Sequence, residues 1–145
     1  MAGTSAMSPA AIDELLGSAE VGVLCTVDAE GRPEGTPIWF DYDGACVRIL
    51  VNGSSKKARN IRINPHVSLT VDTRTAPYRG VVLRAKAALS GPDPALRRVL
   101  AARYLGDEVG ARYIASTSNL DDEDVLVTLT IRGRHSWDYS SGGTT

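Results

Sequence analysis

Two short segments carry residue types whose spacing suits ligand chemistry. The first is Ser54-Ser55-Lys56-Lys57-Ala58-Arg59-Asn60. With Ser54 or Ser55 as the cap of a helix, both lysines fall in its first turn. A helix N-terminus already carries partial positive charge, so each lysine there opposes the dipole by roughly 0.3–1 kcal/mol. An anion relieves that conflict. Unpaired backbone N–H groups, serine hydroxyls and two ammonium groups together suit a phosphate. A surface helix with a solvated basic face fits the same spacing, and spacing alone leaves the two readings level. The second segment is Gly35-Thr36-Pro37-Ile38-Trp39. A strand with proline cannot complete its ladder, so its backbone can meet a planar heterocycle while Ile38 or Trp39 supplies apolar contact. Taken alone, an edge strand protected by proline is the simpler account.

Other chemistry is thinly represented. No GxSxG elbow, P-loop or GxGxxG follows a strand. The two histidines, His66 and His135, sit in no metal-ligand spacing and read as strand-surface residues. The acidic run 121–124 reads as a solvated linker. Tyr42, Tyr78 and His66 are acid–base candidates by type alone.

The elements that must position these segments are legible in outline. Ser8, Pro9 and Gly17 mark the cap, first turn and stop of a helix with Ile12, Leu15 and Leu16 on one face. Six strands follow at residues 21–28, 35–43, 45–52, 66–72, 78–89 and 125–139, with Asp43-Gly44 as a hairpin signal. Residues 53–65 read as a tight loop entering a short helix that ends before Pro65. A longer one spans 94–106, with Leu96, Val99, Leu100 and Tyr104 along its apolar face. Residues 107–119 add a further helical turn or two, and 140–145 read as a disordered tail. Strands joined mostly by hairpins, with helices in the connections, predict a mainly β protein built on an antiparallel barrel.

Composition sets the class. The 145 residues, 43% apolar and 23% charged, suit one soluble domain over residues 1–145. A net charge of -1 and 6% aromatic residues argue against a nucleic-acid partner. Cys25 and Cys46 lie in apolar runs and form no CxxC pair, which suits a reducing compartment. No apolar run reaches membrane-span length, and no secretory leader is legible, so the expected place is the cytoplasm, away from membranes.

At the two ligand-suited segments the chain resembles a known family. The runs GVLCTVDAEGRPEGTPIWFDYDG and NGSSKKARNIRINPHVSL closely match the pattern of the pyridoxamine 5′-phosphate oxidase-like, or flavin/deazaflavin oxidoreductase, superfamily. The resemblance covers about residues 21–89 and returns more weakly over 125–139. It is greatest to the small actinobacterial branch that uses the deazaflavin coenzyme F420 rather than FMN.

The resemblance implies a six-stranded FMN-binding split β-barrel and a homodimer with two cofactor sites between the subunits. It assigns cofactor-phosphate contacts to Ser55, Lys56 and Lys57, with Arg59 beside them. The backbone of Thr36, Pro37, Ile38 and Trp39 lines the ring, and Leu50 and Val51 precede the phosphate loop. Arg79 adds a polar contact, and Trp137 reaches the partner subunit's cofactor. Arg59, Arg62, Arg79 and Arg84 are the basic residues available to F420's acidic tail. The expected activity is hydride transfer between reduced F420 and a small electron-poor organic acceptor. An FMN-dependent reductase or oxidase is the alternative, and a non-catalytic flavin- or haem-binding protein a second one. True pyridoxamine phosphate oxidases place arginine and histidine after the last-strand tryptophan. Here Asp138-Tyr139-Ser140 follows Trp137, which argues against vitamin B6 phosphate as substrate. Leu83-Arg84-Ala85-Lys86 also stands where many relatives have glycine.

Overall fold

The computed structural model describes residues 6–140. Of the expected tail at 140–145, all but Ser140 lies outside the described residues. The chain runs α1 (Pro9–Gly17), β1 (Gly22–Val27), β2 (Pro33–Ile38), β3 (Asp41–Tyr42), β4 (Cys46–Asn52), α2 (Lys56–Ile63), β5 (His66–Asp72), β6 (Arg79–Ser90), α3 (Pro94–Leu105), α4 (Asp107–Ser116), α5 (Leu120–Glu123) and β7 (Asp124–Asp138). All strand pairs are antiparallel, in the order β2-β1-β5-β6-β7-β4-β3.

The edge strands β2 and β3 are consecutive in the chain, with only Trp39 and Phe40 between them. The sheet therefore curls until its two edges nearly meet, giving a mainly β half-barrel with flanking helices. Seven strands replace the expected six because 35–43 is not continuous. It breaks at Trp39-Phe40, where the Phe40 side chain enters the core and is fully buried. Pro33 and Pro37 fall on β2, which pairs only with β1. An edge strand tolerates a missing N–H.

Strand alternation fills the barrel. Leu24, Val47, Ile49, Leu69, Val71, Val81, Leu83, Val127 and Leu129 are inaccessible to solvent. Helix α1 closes the core with Ile12, Leu15 and Leu16, and Ser8 caps it by accepting from the Ala11 N–H at 3.1 Å. The turn after β1 is held by Asp28, whose Oδ1 accepts from the Glu30 and Arg32 N–H groups, both at 2.9 Å. Gly31 there has φ +82°.

The connection between β6 and β7 departs furthest from the expectation. Residues 107–119 hold a ten-residue helix rather than a turn or two. Gly106, at φ +84°, breaks the chain between α3 and α4, and Gly110 lets α4 approach the Ala101 backbone. A Cβ at Gly110 would lie 2.8 Å from the Ala101 carbonyl oxygen. Val99 is half exposed, because the buried stripe of α3 runs through Leu96, Arg97, Leu100 and Ala101 instead. The acidic run is no solvated linker. Asp121 in α5 receives the Arg97 guanidinium, and Asp124 opens β7.

Candidate cofactor site

A cavity of about 440 Å³ lies where the β2–β3 connection, the end of β4, the start of α2 and the α3–α4 pair converge. That volume is within the usual range for a small-molecule site. Among the sequence-derived candidates, Pro37, Ile38, Trp39, Leu50, Val51 and Lys57 line it together. Thr36, Ser55, Lys56 and Arg59 adjoin these residues in sequence without lining the cavity. Tyr42, Tyr78 and His66 lie elsewhere. Tyr42 donates to Asp13 at 2.6 Å in a separate small hollow, and the other two are exposed.

The α2 entry has an asymmetric use of its polar groups. Ser55 caps the helix: its Oγ donates to the Asn52 carbonyl at 2.6 Å and accepts from the Ala58 N–H at 3.3 Å. Ser54 Oγ donates to Asn52 Oδ1 at 2.7 Å. Both hydroxyl protons thus shape the loop. Lys56 is ion-paired with Glu34. Arg59 and Arg62 turn back onto the loop, donating to the Ser54 and Gly53 carbonyls at 2.7 and 2.9 Å. Lys57 differs. It lines the cavity and makes no hydrogen bond or ion pair among the described residues. The first-turn N–H groups of Lys56 and Lys57 also lack partners there. One ammonium and two N–H donors are therefore left unpaired among the described residues in the first turn of an eight-residue helix. That donor set fits a phosphate.

The opposite wall is aromatic. Trp39 stacks on Tyr104, with centroids 5.3 Å apart, and meets Tyr113 edge-on at 5.8 Å. Tyr104 also ties the strand break: its hydroxyl accepts from the Phe40 N–H at 3.3 Å and donates to the Glu20 carbonyl at 3.0 Å. Burial raises the Tyr104 hydroxyl above its ordinary pKa, with the Phe40 N–H and Arg103 opposing. Among the described residues β2 has no partner on its outer edge, so backbone groups there are available to a flat ligand.

Sequence reasoning missed the far wall: Arg97, Leu100, Tyr113 and Asp124, with Val21 and Asn52 at the margins. Arg97, only 5% exposed, is fully engaged. It donates to Asp121 Oδ1 at 2.8 Å, to Thr117 Oγ1 at 3.0 Å and to the Thr117 carbonyl at 2.8 Å. No local pattern signals these contacts, since α3 and α5 meet only after the chain has turned twice.

Arg79 and Trp137 form a separate group at the far end of β6 and β7. Arg79 pairs across with Asp138, and Trp137 with Gly80, where its ring covers the glycine. Arg84 lies over Gly133 on the outer face of the sheet and lines a different hollow with Cys25 and Arg132. Arg59, Arg62, Arg79 and Arg84 thus do not line one groove of the single chain. Among the described residues no group of three or more acidic, histidine or cysteine side chains is placed to hold a metal. No helix described is long and apolar enough to cross a membrane.

The fold agrees with comparisons to known proteins. The pyridoxamine 5′-phosphate oxidase family profile matches residues 8–138. A pyridoxine/pyridoxamine 5′-phosphate oxidase of Anaplasma phagocytophilum is 32% identical over 107 residues, which is 73% of this chain and 51% of that protein. The chain spans about half the length of that curated relative. An F420 reductase of solved structure is 27% identical with a TM-score of 0.69, covering 85% of this chain and 94% of that one. A conserved hypothetical protein, Rv2991 from Mycobacterium tuberculosis, shares the fold at 24% identity and a TM-score of 0.76, covering 94% and 88% of the two chains. The chain belongs to the pyridoxamine 5′-phosphate oxidase family, which contains flavin-binding oxidoreductases.

Proposed function

We propose that this protein is a cytoplasmic, homodimeric oxidoreductase that binds coenzyme F420 and reduces a small electron-poor organic acceptor. The observation that carries the reading is Lys57. Among the described residues it is an unpaired cation, and it faces a cavity whose other walls are a proline-bearing edge strand and an aromatic stack. Similarity to an F420 reductase favours the deazaflavin coenzyme.

When bound, the coenzyme supplies a hydride to the acceptor, which takes its proton from solvent. The chain's own residues bind and orient. Lys57 and the α2 N–H groups hold the phosphate, the Thr36–Trp39 backbone and the Leu50–Val51 segment flank the ring, and Leu100 and Tyr113 keep water from it. Arg79 and Trp137 are too far along β6 and β7 to meet the same cavity. In a two-fold dimer they complete the partner's site.

One observation favours FMN as the second reading. Arg59 and Arg62 are turned onto their own loop, so no ready cradle awaits an acidic tail. Anaerobic mixing with reduced F420 and a panel of quinones and nitroaromatics tests the choice. Appearance of oxidised coenzyme that depends on both protein and acceptor is expected. Turnover with reduced FMN but none with reduced F420 would replace the first reading with the second.

A further inference from the structure

We infer that the Asp124 carboxylate selects ligands carrying hydroxyl donors between an aromatic ring and an anionic end, the chemistry of a polyol phosphate. This rests on the cofactor reading above and assigns that site a residue for the linker rather than for either end.

The first ground is placement. Asp124 opens β7 and pairs across with Asn52, the last residue of β4. The Gly53 N–H donates to the Glu123 carbonyl at 3.0 Å, which pins the peptide before Asp124 to the loop leading into Lys57. The carboxylate thus stands beside the anion end of the cavity, while Pro37 to Trp39 form the wall for a ring.

The second ground is unmet hydrogen-bonding capacity. Asp124 is the only acidic residue among those described around the cavity, and no donor or cation meets its carboxylate among the described residues. Arg97 on α3 is committed to Asp121 and Thr117. Lys57 on α2 shares the cavity but forms no ion pair with it. Burial raises the Asp124 carboxyl above the ordinary range, Glu123 and Asp121 on α5 push the same way, and Arg97 opposes them. The Asp124 oxygens are free to accept from ligand O–H groups through charge-assisted hydrogen bonds.

The two charges also give the site a direction. A phosphate against Asp124 is repelled and one against Lys57 is attracted, so hydroxyls belong at Asp124 and the phosphate at Lys57.

The test is equilibrium binding of FMN, F420, riboflavin and lumiflavin to the full chain and to its Asp124→Asn and Asp124→Ala variants. Riboflavin keeps the ring and polyol without phosphate, and lumiflavin keeps the ring alone. Circular dichroism and melting confirm that each variant folds, and the asparagine variant preserves the side-chain shape. Asp124→Ala is expected to weaken riboflavin and whichever of FMN and F420 binds, by roughly ten-fold or more, and to leave lumiflavin unchanged. Asp124→Asn, which keeps an acceptor oxygen, should fall between. Unchanged riboflavin affinity in Asp124→Ala, or tighter FMN in either variant, would overturn the inference and leave the cofactor reading standing. A wild-type protein that binds neither FMN nor F420 would remove both.

Discussion

The Trp39 indole lies parallel to the Tyr104 phenol ring, 2° between planes and 5.3 Å between centroids. This contact joins the site's aromatic wall to α3 at the point where the sheet's edge strand breaks. Tyr104→Phe keeps the stack but removes the hydroxyl that ties Phe40 and Glu20. It should cost about 1 kcal/mol of stability. Tyr104→Ala removes both and should cost about 3 kcal/mol and weaken cofactor binding more than Tyr104→Phe does. Urea denaturation and ligand titration of the two variants check the order.

Arg97 is buried on three hydrogen bonds, one joining α3 to Asp121 of α5 and two to Thr117 at the end of α4. Arg97→Met keeps the packing but leaves Asp121 without its partner. The expected loss is about 3 kcal/mol in urea denaturation. A loss below about 1 kcal/mol would mean that this corner contributes little to the cavity wall.

Asp28 gives a pH-dependent prediction. Hydrogen bonds from the Arg32 backbone, then its guanidinium, hold the Asp28 carboxyl below its ordinary value, and the Glu30 N–H adds to them. A carboxyl depressed in the folded state stabilises it above the unfolded value, about 3.9, and that stability is lost as pH falls through the folded value. The melting-temperature gap between wild type and Asp28→Asn should therefore be full at pH 7 and shrink below about pH 4.

The sheet's outer face carries half-buried Val23, Cys25, Val82 and Trp137. Leu24, Val81 and Leu83 on β1 and β6, and Ile49 and Val51 on β4, are already buried within the chain. In the proposed dimer the partner covers the outer row and unites Trp137 with a cavity. Light scattering at micromolar concentration should give twice the chain mass, and Val82→Glu should shift it to one chain.

The strands, α1 and the α2 cap were legible because their signals are local: alternation, Ser8-Pro9, and serine before a basic helix. The β2–β3 break was not legible, since Trp39 and Phe40 are as strand-like as their neighbours. What breaks the strand there is burial of Phe40 and the reach of Tyr104, sixty-four residues on. The cavity's near wall followed from Pro37 and Lys57. Its far wall did not, because Arg97, Tyr113 and Asp124 meet only through the packing of α3, α4 and α5.

The central claim is that Lys57 holds a cofactor phosphate in this cavity. Titration of F420 and FMN into wild type and Lys57→Ala, in 0.1 M and 1 M salt, tests it most directly. A charge-assisted phosphate contact is worth roughly 1.5–3 kcal/mol, so Lys57→Ala should raise the Kd about ten- to a hundred-fold. Removing a cation from a helix N-terminus should slightly raise the apo melting temperature. F420 should bind more tightly than FMN at low salt and lose more affinity at high salt, where screening reaches about 3 Å. Equal affinities of Lys57→Ala and wild type for both cofactors would contradict the account.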